Sequence, residues 1–365
     1  MAQCSSTSNK PIEVQPPAAT VRGLTKVWKA RSAEKLQDEL IDRVLIARGI
    51  RPDDEGQAFL HPSLKAMHDP SGIPDLDKAA ERILAAIEAN EPIVIFGDYD
   101  VDGVTASAIL IHMIRALAPD AKLSSYIPHR LDEGYGINSD AIRTLAQQGA
   151  RVIVSVDCGI TANEPATVAK ELGVDLIITD HHNPPETMDD LPDAFAVVHP
   201  RRPDSEYPFG ELCGAGVAYK LAWRLATLDA GERTVSAPMR TLLVDLLGFA
   251  ALGSIADIVP LVDENRVIVK HGLSRIPTLP NEGLQALIVA SGLDSEKIDT
   301  EAIGFRLAPR LNAIGRLGHA REALELMTDA TGERATQLAE QLSLVNDQRK
   351  KQELAIVTQA TEMAQ

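Results

Sequence analysis

The 365-residue chain has little of several things, and each shortage removes a class of function. Its three cysteines, Cys4, Cys158 and Cys213, are odd in number and far apart. That excludes a disulfide framework and a thiolate zinc site, and it fits a reducing compartment such as the cytoplasm. Aromatic residues make up only 4%, too few for a long row of stacking platforms under nucleobases. Basic residues are outnumbered, 36 Lys and Arg against 52 Asp and Glu, for a formal charge of -16. A surface of that sign has no general affinity for duplex phosphates, although a narrow channel for a single strand needs only local arginines. No apolar run reaches the ~18 residues of a membrane span, so no membrane association is expected. Residues Met1–Lys10 lack the basic-then-apolar order of a secretory signal. What remains is 45% hydrophobic residues, ample for a core, and a length that predicts about two domains.

What the chain does have is a recurring strand ending. The apolar stretch Val174–Thr179 closes in Asp180-His181-His182, which puts one carboxylate and two imidazoles at a strand's carboxyl end. Open α/β sheets carry their chemistry there. A second run, Ile93–Gly97, is followed by Asp98, Asp100 and Asp102 and then a helical pattern after Gly103. Three carboxylates in five residues repel one another without a cation, and alternate spacing lets them aim at one point. The bland reading is an N-cap aspartate with solvated neighbours. A third run, Val152–Val156, ends in Asp157 with Gly159 just beyond. Asp157 alone is as well explained as a helix cap, but three parallel-type strands ending alike are not. On one rim, Asp100, Asp102, Asp157, Asp180, His181 and His182 can meet across about eighty residues of sequence. Mixed Asp and His donors suit Mn²⁺, Mg²⁺ or Zn²⁺. Two cations sharing a carboxylate would form the clamp used in hydrolysis of phosphoesters.

These blocks resemble the DHH phosphoesterase superfamily, and within it the branch of single-strand-specific exonucleases. The matching stretches are GDYDVDGVTASAIL (97–110), IPHRLDEGYGIN (127–138), VSVDCGITANEPA (154–166), ITDHHNPP (178–185), HPRRPDSEYPFGELCGAGVAYKLAW (199–223), LGSIADIVPLVDENRVIVKHGL (252–273) and PRLNAIGRLGHAREALELM (309–327). The resemblance implies two Mn²⁺ or Mg²⁺ ions held by Asp100, Asp102, Asp157, His181 and Asp257, with Asp157 bridging. Asp98 and Asp180 would be further ligands or would orient them, and His182 would face the scissile phosphate. Arg310, Asn312 and Arg316 would hold nucleic-acid phosphates. Some superfamily members carry a His where this chain has Phe96, and an apolar residue there favours the nuclease branch. The activity implied is 5′-to-3′ hydrolysis of single-stranded DNA in bacterial repair and recombination, with single-strand-binding protein and a RecQ-type helicase as partners. The alternatives are a DHH phosphoesterase of short oligoribonucleotides or cyclic dinucleotides, and a non-catalytic DHH scaffold.

The residues themselves agree where they can be read. Asp257 ends the small-residue helical pattern Ala250–Ala256, just before Pro260, and a charge in so apolar a run needs a partner. Arg310, Asn312 and Arg316 surround Pro309 and Gly315, a loop-like composition suited to phosphate contacts, although surface ion pairs explain arginines as well. His129, Arg130 and Tyr135, the last between Gly134 and Gly136, are expected to line the substrate channel. Arg201, Arg202 and Arg306 are further candidates for local positive charge. His112 and Cys158 read as packed core residues.

The fold expected is α/β: a doubly wound parallel sheet, a mainly helical second lobe and a long C-terminal connector helix. Residues 1–20 read as a disordered lead, 21–90 as amphipathic helices, 91–210 as the α/β core, 211–330 as the helical lobe and 331–365 as the connector. Strands are predicted near 92–97, 122–127, 151–156, 174–179 and 194–198. Helices are predicted near 104–117, 138–148, 162–172, 214–229, 238–255 and 283–292. The connector is expected to stop short of the family's second, phosphate-binding domain.

Overall fold

The computed structural model describes residues 20–22, 27–29, 39–129, 133–231, 234–293, 298–317 and 320–364, without the side chains of 20–22, 27–29 and 314–317. The chain divides into two compact units, Met1–Ser63 and Leu64–Gln365. In the first, β1 (Thr20–Arg22) pairs antiparallel with β2 (Val27–Lys29), Val21 standing opposite Trp28. This corrects the expectation of helices throughout 21–90. Short β-branched and aromatic runs show no 3.6-residue period, and pairing with each other satisfies them better. Helices α1 (Leu40–Ala47) and α2 (Asp54–Leu60) follow, and the Asp53 carboxylate accepts from Glu55 N to cap α2. The disordered lead expected over 1–20 lies, Thr20 apart, outside the described residues.

The second unit opens with α3 (Leu76–Glu88) and then alternates β3 (Ile93–Gly97), α4 (Val101–Leu117), β4 (Leu123–Tyr126), α5 (Ser139–Gln147), β5 (Val152–Val156), α6 (Asn163–Glu171), β6 (Asp175–Thr179) and β7 (Ala196–Val198). All five strands are parallel, in the order β4-β3-β5-β6-β7. β3 and β5 are buried along their whole length, as strands covered on both faces must be. Ile93 and Ile95 point into one core and Val94 and Phe96 into the other, so a period of two divides each strand between two helical layers. The chain leaves β3 for β4 on one side and returns to β5 on the other. The carboxyl ends of β3 and β5 therefore border the crevice in which doubly wound sheets bind ligands.

Beyond the sheet come α7 (Gly214–Asp229), α8 (Ala237–Ala256), α9 (Asp263–Arg275) and α10 (Glu282–Ala290). α11 (Thr300–Ala302) runs through a π-helical turn, Ile303–Leu307, into α12 (Ala308–Leu317), followed by α13 (Ala320–Thr328) and the 33-residue α14 (Gly332–Ala364). One helix needs comment and one expectation is corrected here. α8 has a mean hydropathy of 1.5 over a window long enough to cross a membrane, although no uninterrupted apolar run reaches that length. Arg240 and Asp245 lie within the helix, and 61% of the window is buried inside the protein, which makes it a core helix. The segment around Pro309 is helical rather than a loop: Pro309 comes just after the π-helical turn, an irregularity in the hydrogen-bond ladder at which a residue without an N–H is tolerated.

Candidate metal centre

Strand register sets the site before any side chain is considered. Gly97 pairs with Val156, Val156 with Thr179 and Thr179 with Val198. One residue further on, Asp98, Asp157, Asp180 and His199 stand in a row along the rim. The ladder continues into that row through Asp157 N to Thr179 O at 3.0 Å and Asp180 N to Val198 O at 3.2 Å. Asp157 then turns the chain with a φ of 61°, a conformation Asp accepts more readily than most residues.

α4 starts three residues before its predicted boundary, which makes Asp100 its N-cap, accepting from Gly103 N at 3.0 Å. Asp102 falls in the first turn and is 1% exposed. Its two oxygens accept from Gly214 N at 2.6 Å and Ala215 N at 2.8 Å. The N-terminus of α7 thus holds a carboxylate, where free N–H groups and the helix dipole favour negative charge. That approach needs glycine. A Cβ on Gly214 would lie 2.6 Å from the Asp157 side chain, and one on Gly253 would lie 2.5 Å from Asp102 Oδ1. Asp257, the C-cap of α8, completes the group.

His181 Nε2 stands 3.1 Å from Asp157 Oδ1 and 3.7 Å from an oxygen of each of Asp102 and Asp257. Three sets of donor atoms each fall within 4.8 Å of one another: Asp98, Asp100 and Asp157; Asp102, His181 and Asp257; and Asp157, His181 and His182. Burial, reinforced by Asp100, pushes the Asp98 carboxyl up to about 7. Burial with Asp102 and Asp100 likewise raises Asp257 to about 7. Asp100 rises for the same causes, burial and then Asp102, and Asp157 is driven well above the carboxylate range by burial and four acidic neighbours. Burial lowers His181. Asp98 Oδ1, Asp157 Oδ1 and His181 Nε2 are buried without a hydrogen-bond partner. Buried acceptors that crowd together with no donor among them fit a hard divalent cation, which replaces the missing donors and cancels the repulsion.

Asp180 is differently employed. Its Oδ1 accepts from His181 N, His182 N and His182 Nδ1, and its Oδ2 accepts from Ile160 N. Burial pushes this carboxyl up, but the His182 side chain and these N–H groups hold it below its ordinary value. In return, the bond that His182 Nδ1 donates to Asp180, at 2.8 Å, raises the imidazole. Asp180 thus braces His182 and the backbone on either side of the imidazoles. His182 Nε2 lies 3.4 Å from the Tyr135 hydroxyl, and the side chain is 46% exposed.

Behind the two histidines lies a support that the sequence reading did not single out. His199, fully buried, places Nε2 2.7 Å from the His182 carbonyl, while its Nδ1 accepts from Arg201 N at 2.9 Å. Those partners require a neutral ring with its proton on Nε2, and burial keeps it neutral by lowering it to about 4. Arg201 Nη2 holds the His181 carbonyl at 2.6 Å. The available signal was position: His199 follows β7 as Asp157 follows β5. His199→Leu is expected to lose roughly 2–4 kcal/mol of stability by orphaning two buried groups. His199→Gln, which keeps a donor for the carbonyl, should lose less than half as much; urea denaturation of both variants checks this.

The remaining expected residues are scattered in their engagement. Tyr135, with Gly134 and Gly136 on either side at φ of 84° and 80°, brings its hydroxyl 3.4 Å from His182 Nε2 and 3.3 Å from the Asp157 carbonyl. His129 N donates to Glu133, and Arg130 lies outside the described residues. Asn312 Oδ1 accepts from Val101 N at 3.0 Å, tying α12 to the turn that carries Asp100 and Asp102. Arg310 instead bonds Ser343 Oγ at 3.1 Å and the Arg306 carbonyl at 2.7 Å. Arg306 in turn bonds the Ser291 carbonyl. The side chain of Arg316 is outside the description. Arg202 is tied to Asp75 and Asp204, each at 2.7 Å, a structural ion-pair network. His112 packs on Phe249 and bonds the Met327 carbonyl, and Cys158 is buried, as expected of both.

Residues 92–253 match the DHH family, N-terminal domain. The chain is 42% identical over 327 residues to the single-stranded-DNA-specific exonuclease RecJ of Bacillus subtilis (strain 168), covering 89% of this chain and 39% of that protein. A crystal structure of exonuclease RecJ bound to manganese superposes with a TM-score of 0.70 at 35% identity, over 81% of this chain and 71% of the other. A crystal structure of RecJ in complex with Mg²⁺ from Thermus thermophilus gives a TM-score of 0.62 at 30% identity, over 87% and 40%. The chain thus spans about two fifths of the length of its Bacillus relative.

Proposed function

Since this chain belongs to the RecJ branch of the DHH family, we propose that it is a divalent-metal-dependent phosphodiesterase that removes nucleotides from single-stranded DNA in the 5′-to-3′ direction. The observation that carries the reading is the rim itself: orphaned Asp98, Asp157 and His181 atoms converge there, and the superposing RecJ structures are complexes with manganese or magnesium. Two Mn²⁺ or Mg²⁺ ions are the cofactor we propose. Asp98, Asp100 and Asp157 would hold one, and Asp102, His181 and Asp257 the other, with Asp157 close enough to both sets to bridge them. Cations held there supply activation of the attacking water and neutralisation of charge on the phosphoryl group.

The chain's own residues then divide the work. Asp180 fixes the His182 ring through Nδ1 and favours its charged form; as an imidazolium, His182 can donate from Nε2 to the phosphoryl oxygens or the departing one. Tyr135, whose hydroxyl lies beside both His182 and Asp157, orients the nucleotide at the opening. Asn312 keeps the α4 turn in place. His129, Arg130, Arg310 and Arg316 complete the proposed set of substrate contacts. We assign the activity to DNA repair and recombination in the cytoplasm, with single-strand-binding protein and a RecQ-type helicase as partners.

Hydrolysis of 5′- and 3′-end-labelled single-stranded oligonucleotides tests this, with Mn²⁺, Mg²⁺ or chelator and with a cyclic dinucleotide in parallel. Stepwise, metal-dependent loss from the 5′ end is expected, with duplex DNA resistant. Cleavage of the dinucleotide alone would replace the substrate class, and inertness toward both would make the chain a scaffold.

A further inference from the structure

Among the described residues five non-glycine positions adopt positive φ: Asp75, Asn90, Asp157, Asp263 and Ile258. Four are Asp or Asn, whose short polar side chains tolerate the left-handed region. Ile258, at φ 61°, is β-branched, the type least suited to it. It occupies the position just past the C-cap of α8, where glycine is the ordinary choice. The residue is also 87% exposed, the highest value among the large exposed hydrophobic residues described. Strain and exposure each work against stability, and a side chain that suffers both at the edge of a functional site points to a use in that site.

The location supplies the use. Ile258 directly follows Asp257, whose oxygen lies 3.7 Å from His181 Nε2 and whose side chain is 29% exposed, so the residue sits next in the chain to the solvent-open edge of the metal centre. The carboxylates there leave no basis for an apolar group to meet a bare phosphate. What an isoleucine can cover is the uncharged face of a nucleotide, deoxyribose and base. We propose that Ile258 is a substrate-positioning residue that packs against the sugar and base of the nucleotide beside the scissile phosphate, its left-handed backbone holding it up from the end of α8. This rests on the nuclease reading and adds to it a contact independent of phosphate charge and of sequence.

The test compares Ile258→Gly, Ile258→Asn and Ile258→Val with the unaltered protein. Steady-state hydrolysis of single-stranded DNA is measured beside Mn²⁺ affinity by titration calorimetry and thermal melting. Glycine and asparagine suit the left-handed backbone, so the melting temperature should stay unchanged or rise by up to about 3 °C. KM should increase about tenfold with the loss of one apolar contact, kcat should stay within about twofold, and Mn²⁺ affinity should not move. Ile258→Val should behave as the parent. An unchanged KM in the Gly and Asn variants overturns the proposal. So does a fall in Mn²⁺ affinity, which would make Ile258 a support for Asp257. Failure of the unaltered protein to hydrolyse DNA would instead refute the nuclease reading, a separate result read from a separate sample.

Discussion

Asp157→Asn is expected to abolish hydrolysis, by at least about a thousandfold, or roughly 4 kcal/mol of barrier, while making the chelated protein more stable. The two effects share one cause. Asp157 is 2% exposed and is pressed by Asp102, Asp100, Asp98 and Asp180. Its Oδ1 lies 3.1 Å from His181 Nε2, and neither atom has a hydrogen-bond partner. In the proposed two-cation centre Asp157 would be shared between the two sets of ligands, so its removal would disrupt the whole centre. Without a cation, it is an uncompensated buried acid, which an amide of the same shape relieves. Activity assays and melting curves with chelator and with Mn²⁺ read the pair of signs. A variant that keeps its activity, or one that gains as much from Mn²⁺ as the parent does, would remove Asp157 from the centre.

The second large effect is a stabilisation by Mn²⁺ that grows with pH. Asp98 and Asp257 titrate near 7 in the folded chain, above the ordinary 3.8. Between those values the folded state holds more protons than the unfolded one. Their contribution to stability is therefore full below about pH 4 and lost as pH rises toward 7. Asp257 is partly exposed, so Asp98 contributes the larger share. Cations compete with those same protons, because the ligands must be ionised to bind. Saturating Mn²⁺ should raise the melting temperature by about 5–10 °C at pH 8 and by little at pH 5. The gain should be smaller in Asp98→Asn and Asp257→Asn. A gain that is flat from pH 5 to 8 would show that these carboxyls are not the groups the metal displaces.

Much of the site is legible along the chain because strand ends are local. An apolar run followed by Asp98, Asp157 or Asp180-His181-His182 tells where a sheet delivers its polar residues. Five strand positions and the extent of α7 were read to within a residue or two, since buried parallel strands and amphipathic helices impose their periods on short windows. The readings that failed were those where composition misleads. Val21 and Trp28 sit in runs too short to carry a period, α8 matches a membrane helix in hydropathy while lying in a core, and Pro309 looks like a loop residue but opens a helix turn.

Which residues gather at the rim was therefore legible in the sequence: acids and imidazoles at three strand ends, and Asp257 at the end of a small-residue helix. What each one does was decided only by the tertiary structure. Asp180 became a brace for His182, because Ile160 N and three donors from the His181-His182 segment converge on it. Asp102 was fixed by the amino end of α7, more than a hundred residues away in the chain. His199 came to stand behind the histidines through the pairing of β6 with β7. Ile258 acquired meaning from its strained backbone and its exposure beside Asp257. A residue's type is a property of one position, but its hydrogen-bond partners, burial and φ depend on which distant segments the parallel register and the helix ends bring within about 3 Å of it.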